Sequence, residues 1–89
     1  DDVWLTALED AISTLKAFAP GALVIALGLD AYEHDPLNGG AVTRVGFGQL
    51  AEKIGALGLP TLMVQEGGYL RDDLADNLAA FLTGFQTLR

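Results

Sequence analysis

The fold of this chain is decided by the sequence VIALGLD at residues 24–30 and by LMVQEGGY at residues 62–69. Each begins as a short apolar run, which is typical of a buried strand in a parallel sheet. Each also delivers a polar side chain at its carboxyl end, Asp30 in the first and Tyr69 in the second. Because ligands bind at the carboxyl edge of an open parallel sheet, these two residues are the first candidates for a functional site.

Hydrophobic spacing around the two runs predicts the order helix, strand, helix, strand, helix. The predicted elements are a helix over Asp2–Phe18, a strand over Ala22–Leu29, a helix from an N-cap at Thr43 to about Leu57, a strand over Thr61–Glu66 and a helix over Arg71–Leu88. A polar loop over Asp30–Val42 follows the first strand. The last helix is predicted to direct Leu74, Leu78, Phe81, Leu82 and Phe85 inward. Glycines at 46, 48 and 55 are expected to weaken the middle helix.

This order predicts a shared edge for the two strand ends. Two parallel strands joined by a right-handed helical crossover have their carboxyl ends at the same edge of the sheet. Neighbouring strands lie about 4.8 Å apart, so Asp30 and Tyr69 face one site even if another strand lies between them. A sheet of two apolar strands cannot pair its edges or cover both faces by itself. We therefore expect the chain to be part of a larger sheet.

Length, composition and charge exclude several classes of protein. The 89 residues make at most one small domain, and 51% are hydrophobic, so the chain is not disordered. A net charge of −7 with only five Lys and Arg argues against nucleic acid, whose binding rests on neutralised phosphates. The acidic balance could favour a cationic substrate, although charged helix faces that keep a protein soluble are the commoner cause.

The sequence also predicts a compartment. No apolar stretch approaches the roughly 20 residues that span a bilayer, so no membrane association is expected. The chain contains no cysteine, which excludes disulfides and thiolate metal sites and fits a reducing compartment. It opens on Asp1-Asp2 without a signal peptide. We expect a cytoplasmic protein whose amino end has been processed or truncated.

Asp30 and the loop that follows it carry the first candidates for chemistry. A carboxylate at a strand end suits a cation such as Zn²⁺, but it also serves as a helix cap or turn brace, and both alternatives stay open. Asp35 precedes Pro36 and is expected to brace the loop rather than to bind metal. His34 is the only histidine. We expect a surface position for it, because one histidine cannot be both a metal ligand and a general base.

The sequence Glu66-Gly67-Gly68-Tyr69 is the more specific signal. Two glycines after a strand allow a sharp turn or a close approach of the backbone to a ligand. A tyrosine hydroxyl is a neutral donor at neutral pH, and such a donor can stabilise an oxyanion that develops on a carbonyl. A tyrosine packed into a glycine turn is the structural alternative.

Three motifs together resemble the carboxyl-terminal third of the zinc-dependent histone deacetylase superfamily. They are APGALVIALGLD at residues 19–30, Asp35-Pro36-Leu37, and Glu66-Gly67-Gly68-Tyr69. Within that superfamily, LPTLMVQEGGY at residues 59–69 is most similar to the bacterial acetylpolyamine amidohydrolases. The resemblance covers nearly the whole chain.

The resemblance implies an arginase-like, three-layer α/β fold with a parallel sheet and a Zn²⁺ site at its carboxyl edge. Residues 1–89 would be the carboxyl-terminal segment of one catalytic domain. Asp30 corresponds to a zinc-binding aspartate of the family, and Tyr69 to the catalytic tyrosine that donates to the substrate carbonyl. Leu37, Gly67 and Gly68 correspond to the walls of the substrate tunnel.

The implied reaction is zinc-dependent hydrolysis of the acetamide bond of an acetylated polyamine or a similar small amide, with a protein acetyl-lysine as the alternative substrate. The family's Asp-x-His pair and tandem histidines do not occur in this sequence. A catalytic zinc needs about three protein ligands, so we expect the 89 residues alone to be inactive. The missing part of the domain or a homo-oligomer would complete the site and cover the sheet.

A different class of function also fits the sequence. An isolated segment of this kind could be a catalytically inactive interaction module that buries its open sheet edges by oligomerising.

Overall fold

The computed structural model describes residues 1–35, 41–68 and 72–87, which form three helices and a two-stranded parallel sheet. In chain order they are α1 (Asp2–Phe18), β1 (Leu23–Gly28), α2 (Arg44–Gly55), β2 (Thr61–Glu66) and α3 (Asp72–Thr87). This arrangement confirms the α/β order predicted from the sequence. In the part of the chain described, none of the helices combines the length and the apolarity that crossing a membrane requires.

The two strands are direct neighbours in the sheet. Their register runs from Leu23 beside Thr61 to Gly28 beside Glu66. The first strand is shorter than predicted by one residue at each end, because Leu29 already belongs to a short 3₁₀ turn, Leu29–Ala31. The carboxyl ends of β1 and β2 therefore lie side by side, and Asp30 sits on the turn that leaves this edge.

One face of the sheet is covered by this chain and the other is open. Ile25 and Leu27 of β1 and Met63 of β2 pack against a core that includes residues of α2 and α3. Val24 and Leu62, which are paired on the opposite face, are 73% and 61% exposed. The two strands, which the sequence predicts to be buried, are therefore covered on one face only by this chain. The open apolar face is what we expect of a sheet that belongs to a larger domain.

Helix α1 contacts the rest of the chain through a half-buried stripe, through its amino end and through an ion pair between Oε1 of Glu9 and Nζ of Lys53 at 2.8 Å. The stripe consists of Leu5, Leu8, Ile12 and Leu15, while Val3 and Phe18 are 82% and 79% exposed. At the amino end, a carboxylate oxygen of Asp1 accepts a hydrogen bond from the backbone N–H of Thr43 at 2.9 Å. The Thr43 hydroxyl in turn accepts from the N–H of Gly46 at 3.0 Å, which confirms Thr43 as the N-cap of α2.

Helices α2 and α3 pack closely because glycines form part of their interface. A Cβ atom added at Gly55 would overlap the carbonyl oxygen of Phe85, and one at Gly84 would overlap that of Gly48. Gly48 and Gly55, two of the three glycines that were expected to weaken α2, therefore lie where the backbone of α3 approaches, whereas Gly46 lies against the carboxylate of Asp1.

The inward stripe of α3 differs from the prediction at one position. Phe81 is buried, and Leu74, Leu78 and Phe85 pack against the core as expected. Leu82 is 43% exposed, so its predicted inward position is wrong. The physical reason is that Asn77, four residues before Phe81, and Gly84, three residues after it, occupy the inward positions, and the adjacent residue 82 is rotated by about 100° around the helix.

Candidate functional site

The carboxylate of Asp30 lies against the turn that follows β2. Asp30 is exposed, and it stands two residues beyond the end of β1. A Cβ atom added at Gly67 would lie 2.6 Å from Asp30 Cγ and 2.9 Å from Asp30 Oδ2, closer than real side chains approach. Gly67 also has a φ of 58°, a conformation that favours glycine. A glycine at position 67 is therefore what lets the backbone reach the carboxylate.

The neighbouring glycines continue this close contact. At Gly28 an added Cβ would lie 2.8 Å from Asp30 Oδ1. At Gly68, whose φ is 101°, it would lie 3.1 Å from Leu29 Cβ and 2.9 Å from Leu74 Cδ1. The turns that leave β1 and β2 thus touch at the carboxyl edge of the sheet, as the parallel crossover predicts. Three of the predicted site residues, Asp30, Gly67 and Gly68, come together there.

The other two predicted site residues, Leu37 and Tyr69, lie outside the described residues, and their roles stay predictions. His34 is exposed, as expected, and its Nε2 lies 3.4 Å from Oε1 of Glu33. Asp35 is only 7% exposed, and its backbone N–H donates to the carbonyl of Tyr32 at 3.1 Å. Its burial is compatible with the expected role in bracing the loop.

Asp30 has no cluster of fellow ligands in this part of the protein. Among residues 1–35, 41–68 and 72–87, no three histidine, aspartate or glutamate side chains group together in a way that could hold a metal ion. As a single exposed carboxylate beside glycine backbone, Asp30 is suited to supply one ligand of a Zn²⁺ site. The other ligands would have to come from outside the described residues.

The loop after Asp30 begins and ends in the core, which the sequence did not predict. Val42 is fully buried, its N–H donates to the carbonyl of Ala31, and its own carbonyl accepts from the N–H of Glu33, both at 2.9 Å. These bonds join the chain at Tyr32 and Val42 in an isolated parallel bridge. The polar loop predicted over Asp30–Val42 is therefore held at both ends.

Two residues with polar groups inside the fold, Tyr32 and Asn77, were not singled out from the sequence. The hydroxyl of Tyr32 donates to Oδ2 of Asp73 at 3.1 Å, and Asp73 stands in the first turn of α3. Asn77 is 1% exposed, and its Oδ1 has no hydrogen-bond partner among the described residues. The sequence pattern could have predicted the burial of Asn77, because this residue lies three positions after Leu74 on the inward stripe of α3. It could not have predicted the hydrogen bond of Tyr32, because the partner is 41 residues away along the chain.

Two parallel strands whose ends bring a carboxylate against a glycine turn define an α/β protein, and the carboxyl edge of its sheet is the candidate binding site. More specifically, the chain belongs to the histone deacetylase domain family, whose model matches residues 1–85. This confirms the resemblance that the strand-end motifs predicted.

Within this family, the chain is similar to several acetylpolyamine amidohydrolases. It is 51% identical over 82 residues to an acetylpolyamine amidohydrolase of Burkholderia pseudomallei, and 39% identical over 85 residues to acetylpolyamine amidohydrolase 1 of Pseudomonas aeruginosa. These alignments cover 92% and 96% of the chain. A crystal structure of acetylpolyamine aminohydrolase from Burkholderia pseudomallei superposes with a TM-score of 0.91 at 49% identity, covering 96% of this chain and 25% of that one. The chain spans about a quarter of the length of the curated relatives it matches.

Proposed function

We propose that the full-length protein containing this chain hydrolyses the acetamide bond of an acetylated polyamine or a similar small amide. The observation that carries the proposal is the contact between the Asp30 carboxylate and the Gly67-Gly68 turn in a chain of this family. The substrate class is supported by the relatives, four of which bear the name acetylpolyamine amidohydrolase. A protein acetyl-lysine is the alternative substrate.

In this proposal Asp30 and Tyr69 have separate roles. Asp30 is one ligand of a Zn²⁺ ion, for which an exposed carboxylate at the sheet edge is a suitable donor. When bound, that ion would polarise the acetamide carbonyl and lower the pKa of a water molecule. Tyr69 donates a hydrogen bond to the carbonyl oxygen as negative charge grows on it. Leu37, Gly67 and Gly68 line the path of the acetyl group.

The chain supplies only part of this active site. Its one histidine, His34, lies beside Glu33 on the surface, so the groups that move protons to and from water and the leaving amine come from elsewhere in the protein. The remaining metal ligands come from there too. On this account residues 1–89 alone release no acetate, and the rest of the domain covers the open face of the sheet.

The test uses the full-length enzyme with an acetylated diamine and an acetyl-lysine peptide, and it measures acetate release. We expect a larger kcat/KM for the acetylated diamine. Tyr69→Phe removes one oxyanion donor and should lower kcat by about 100- to 1,000-fold while the zinc content is unchanged. An unchanged kcat in Tyr69→Phe would contradict the assigned role, and a preference for the peptide would favour the alternative substrate.

A further inference from the structure

Tyr32 joins three parts of the molecule near the proposed site. It follows Asp30 by two residues, but whereas Asp30 is exposed, Tyr32 is only 7% exposed. Its ring packs against Phe47 of α2, with 6.4 Å between the ring centroids. Its backbone N–H donates to the carbonyl of Leu29 at 3.3 Å, and its bridge to Val42 closes the loop. The ring of Tyr32 is therefore held by packing, and its backbone by hydrogen bonding.

The hydroxyl of Tyr32 extends this fixed unit to α3. It donates to Oδ2 of Asp73 at 3.1 Å in a partly buried contact. Asp73 lies in the first turn of α3, where a carboxylate is stabilised by the positive end of the helix dipole. A hydrogen bond to a charged acceptor is roughly twice as strong as a neutral one. The hydroxyl thus connects the loop after β1 with the helix that follows β2.

Both ends of this hydrogen bond adjoin the proposed active site. On one side, Tyr32 is two residues from Asp30, the proposed metal ligand. On the other side, α3 begins at Asp72, four residues after Gly68, and Leu74 of α3 already contacts Gly68. Along the sequence, Tyr69 lies between those two positions. The contact between Asp30 and Gly67 and the bond between Tyr32 and Asp73 therefore tie the loop after β1 to residues that precede and follow position 69 in the sequence.

We infer that Tyr32 is a positioning residue, whose hydrogen bond to Asp73 sets the distance between the Asp30 turn and the Gly67-Gly68 turn. The inference rests on the proposed function. Tyr32 touches neither substrate nor metal on this account. Tyr32 acts by holding the start of α3 against the loop that follows Asp30. On the proposed function, this lets the Tyr69 hydroxyl donate to a substrate carbonyl bound beside Asp30.

Kinetics of the full-length enzyme test this inference. Tyr32→Phe keeps the packed ring and removes only the hydroxyl, so it should lower kcat by about 10- to 100-fold, the loss that a misplacement of about 1 Å causes. KM should change by less than about twofold, because the misplaced group is Tyr69, whose proposed hydrogen bond to the oxyanion is made in the transition state. The zinc content should stay close to wild type, and the melting temperature should fall by only a few degrees, as the loss of one hydrogen bond to a carboxylate implies. An unchanged kcat would overturn the inference.

Variants of Asp73 separate positioning from a general loss of structure. Asp73→Ala should lower kcat as much as Tyr32→Phe, and the double variant should be no worse than either, because both remove one interaction. Asp73→Asn retains an oxygen acceptor and should restore most of the wild-type kcat. Thr87→Ala, which removes another side-chain hydrogen bond of α3 far along the helix, is the matched control and should leave kcat unchanged. Additive losses, or an Asp73→Asn variant as impaired as Asp73→Ala, would overturn the inference.

A readout without catalysis separates this inference from the proposed function. In the full-length protein, Tyr32→Phe should speed amide hydrogen exchange of the peptide covering residues 66–74, while Thr87→Ala should leave it unchanged. Unchanged exchange in Tyr32→Phe would overturn the positioning role even if acetate is released. Faster exchange in a protein that deacetylates nothing would leave the positioning of the two turns standing and refute the proposed function alone.

Discussion

The carboxylate of Asp30 and the backbone of Gly67 are in such close contact that a single methyl group on Gly67 would lie 2.6 Å from the carboxylate carbon. The contact joins two residues that are far apart in sequence but adjacent at the edge of the sheet, because β1 and β2 are direct neighbours in parallel register. The position of the Asp30 carboxylate therefore depends on the absence of a side chain at residue 67.

Replacing Gly67 with alanine should lower zinc affinity and kcat in addition to lowering the stability of the fold. The backbone at residue 67 has a φ of 58°, and strain from a side chain there should cost about 1–2 kcal/mol of stability. The new methyl group should also displace the Asp30 carboxylate, so both zinc affinity and kcat should fall.

Gly58→Ala is the matched control for that prediction. Gly58 has a similar φ of 69°, but nothing lies within 4 Å of a Cβ added there. Urea unfolding of the full-length protein should show a comparable loss of stability in both variants, with zinc affinity reduced only in Gly67→Ala. Equal zinc affinity in the two variants would mean that the contact with Asp30 has no role in metal binding.

The open face of the sheet should be buried in the full-length protein. Leu62 is 61% exposed in this chain, and a truly exposed leucine can be truncated at a cost within about 0.5 kcal/mol. If the rest of the domain covers this face, Leu62→Ala should instead cost about 2–5 kcal/mol. Met63→Ala, on the covered face of the same strand, gives the reference value for a core position. A cost for Leu62→Ala near zero would argue against a larger sheet.

Asn77 should not tolerate a charge. Its side chain is 1% exposed, so Asn77→Asp would place a carboxylate of the same shape in the core, at a cost of about 3 kcal/mol or more. Gln86→Glu adds the same charge at an exposed position of the same helix and should change stability by less than about 1 kcal/mol. Denaturant unfolding of the two full-length variants measures the difference, and similar values would show that Asn77 sits in a polar environment.

Local sequence patterns predicted the helices and strands of this fold, but they did not predict all of the contacts between them. The apolar run before Asp30 and the glycine pair after Glu66 predicted two parallel strand ends that meet, because the crossover rule depends only on element order. The exposure of Leu82 was missed because Asn77 and Gly84, rather than larger apolar residues, complete the inward stripe of α3.

The remaining contacts depend on residues that are distant in sequence. Gly55 looked unfavourable for a helix when judged by propensity alone, yet it lies where the backbone of Phe85 approaches α2. The hydrogen bond from Tyr32 to Asp73 had no local signal at all, since a tyrosine in a polar loop has many available partners. Such pairs are visible only once the fold has brought them together.

Zinc titration of the full-length protein carrying Asp30→Asn tests whether Asp30 is a metal ligand of a deacetylase site. The exchange removes a negative charge and keeps the shape of the side chain. Asp10→Asn, which makes the same exchange on the exposed surface of α1, is the control. We predict that the dissociation constant for zinc rises by at least about 100-fold in Asp30→Asn and stays unchanged in Asp10→Asn. Replacing a residue that only contacts a metal ligand lowers metal affinity by up to about 100-fold, so replacing a ligand itself should lower it at least as much. Equal zinc affinity in both variants would show that Asp30 is not a metal ligand.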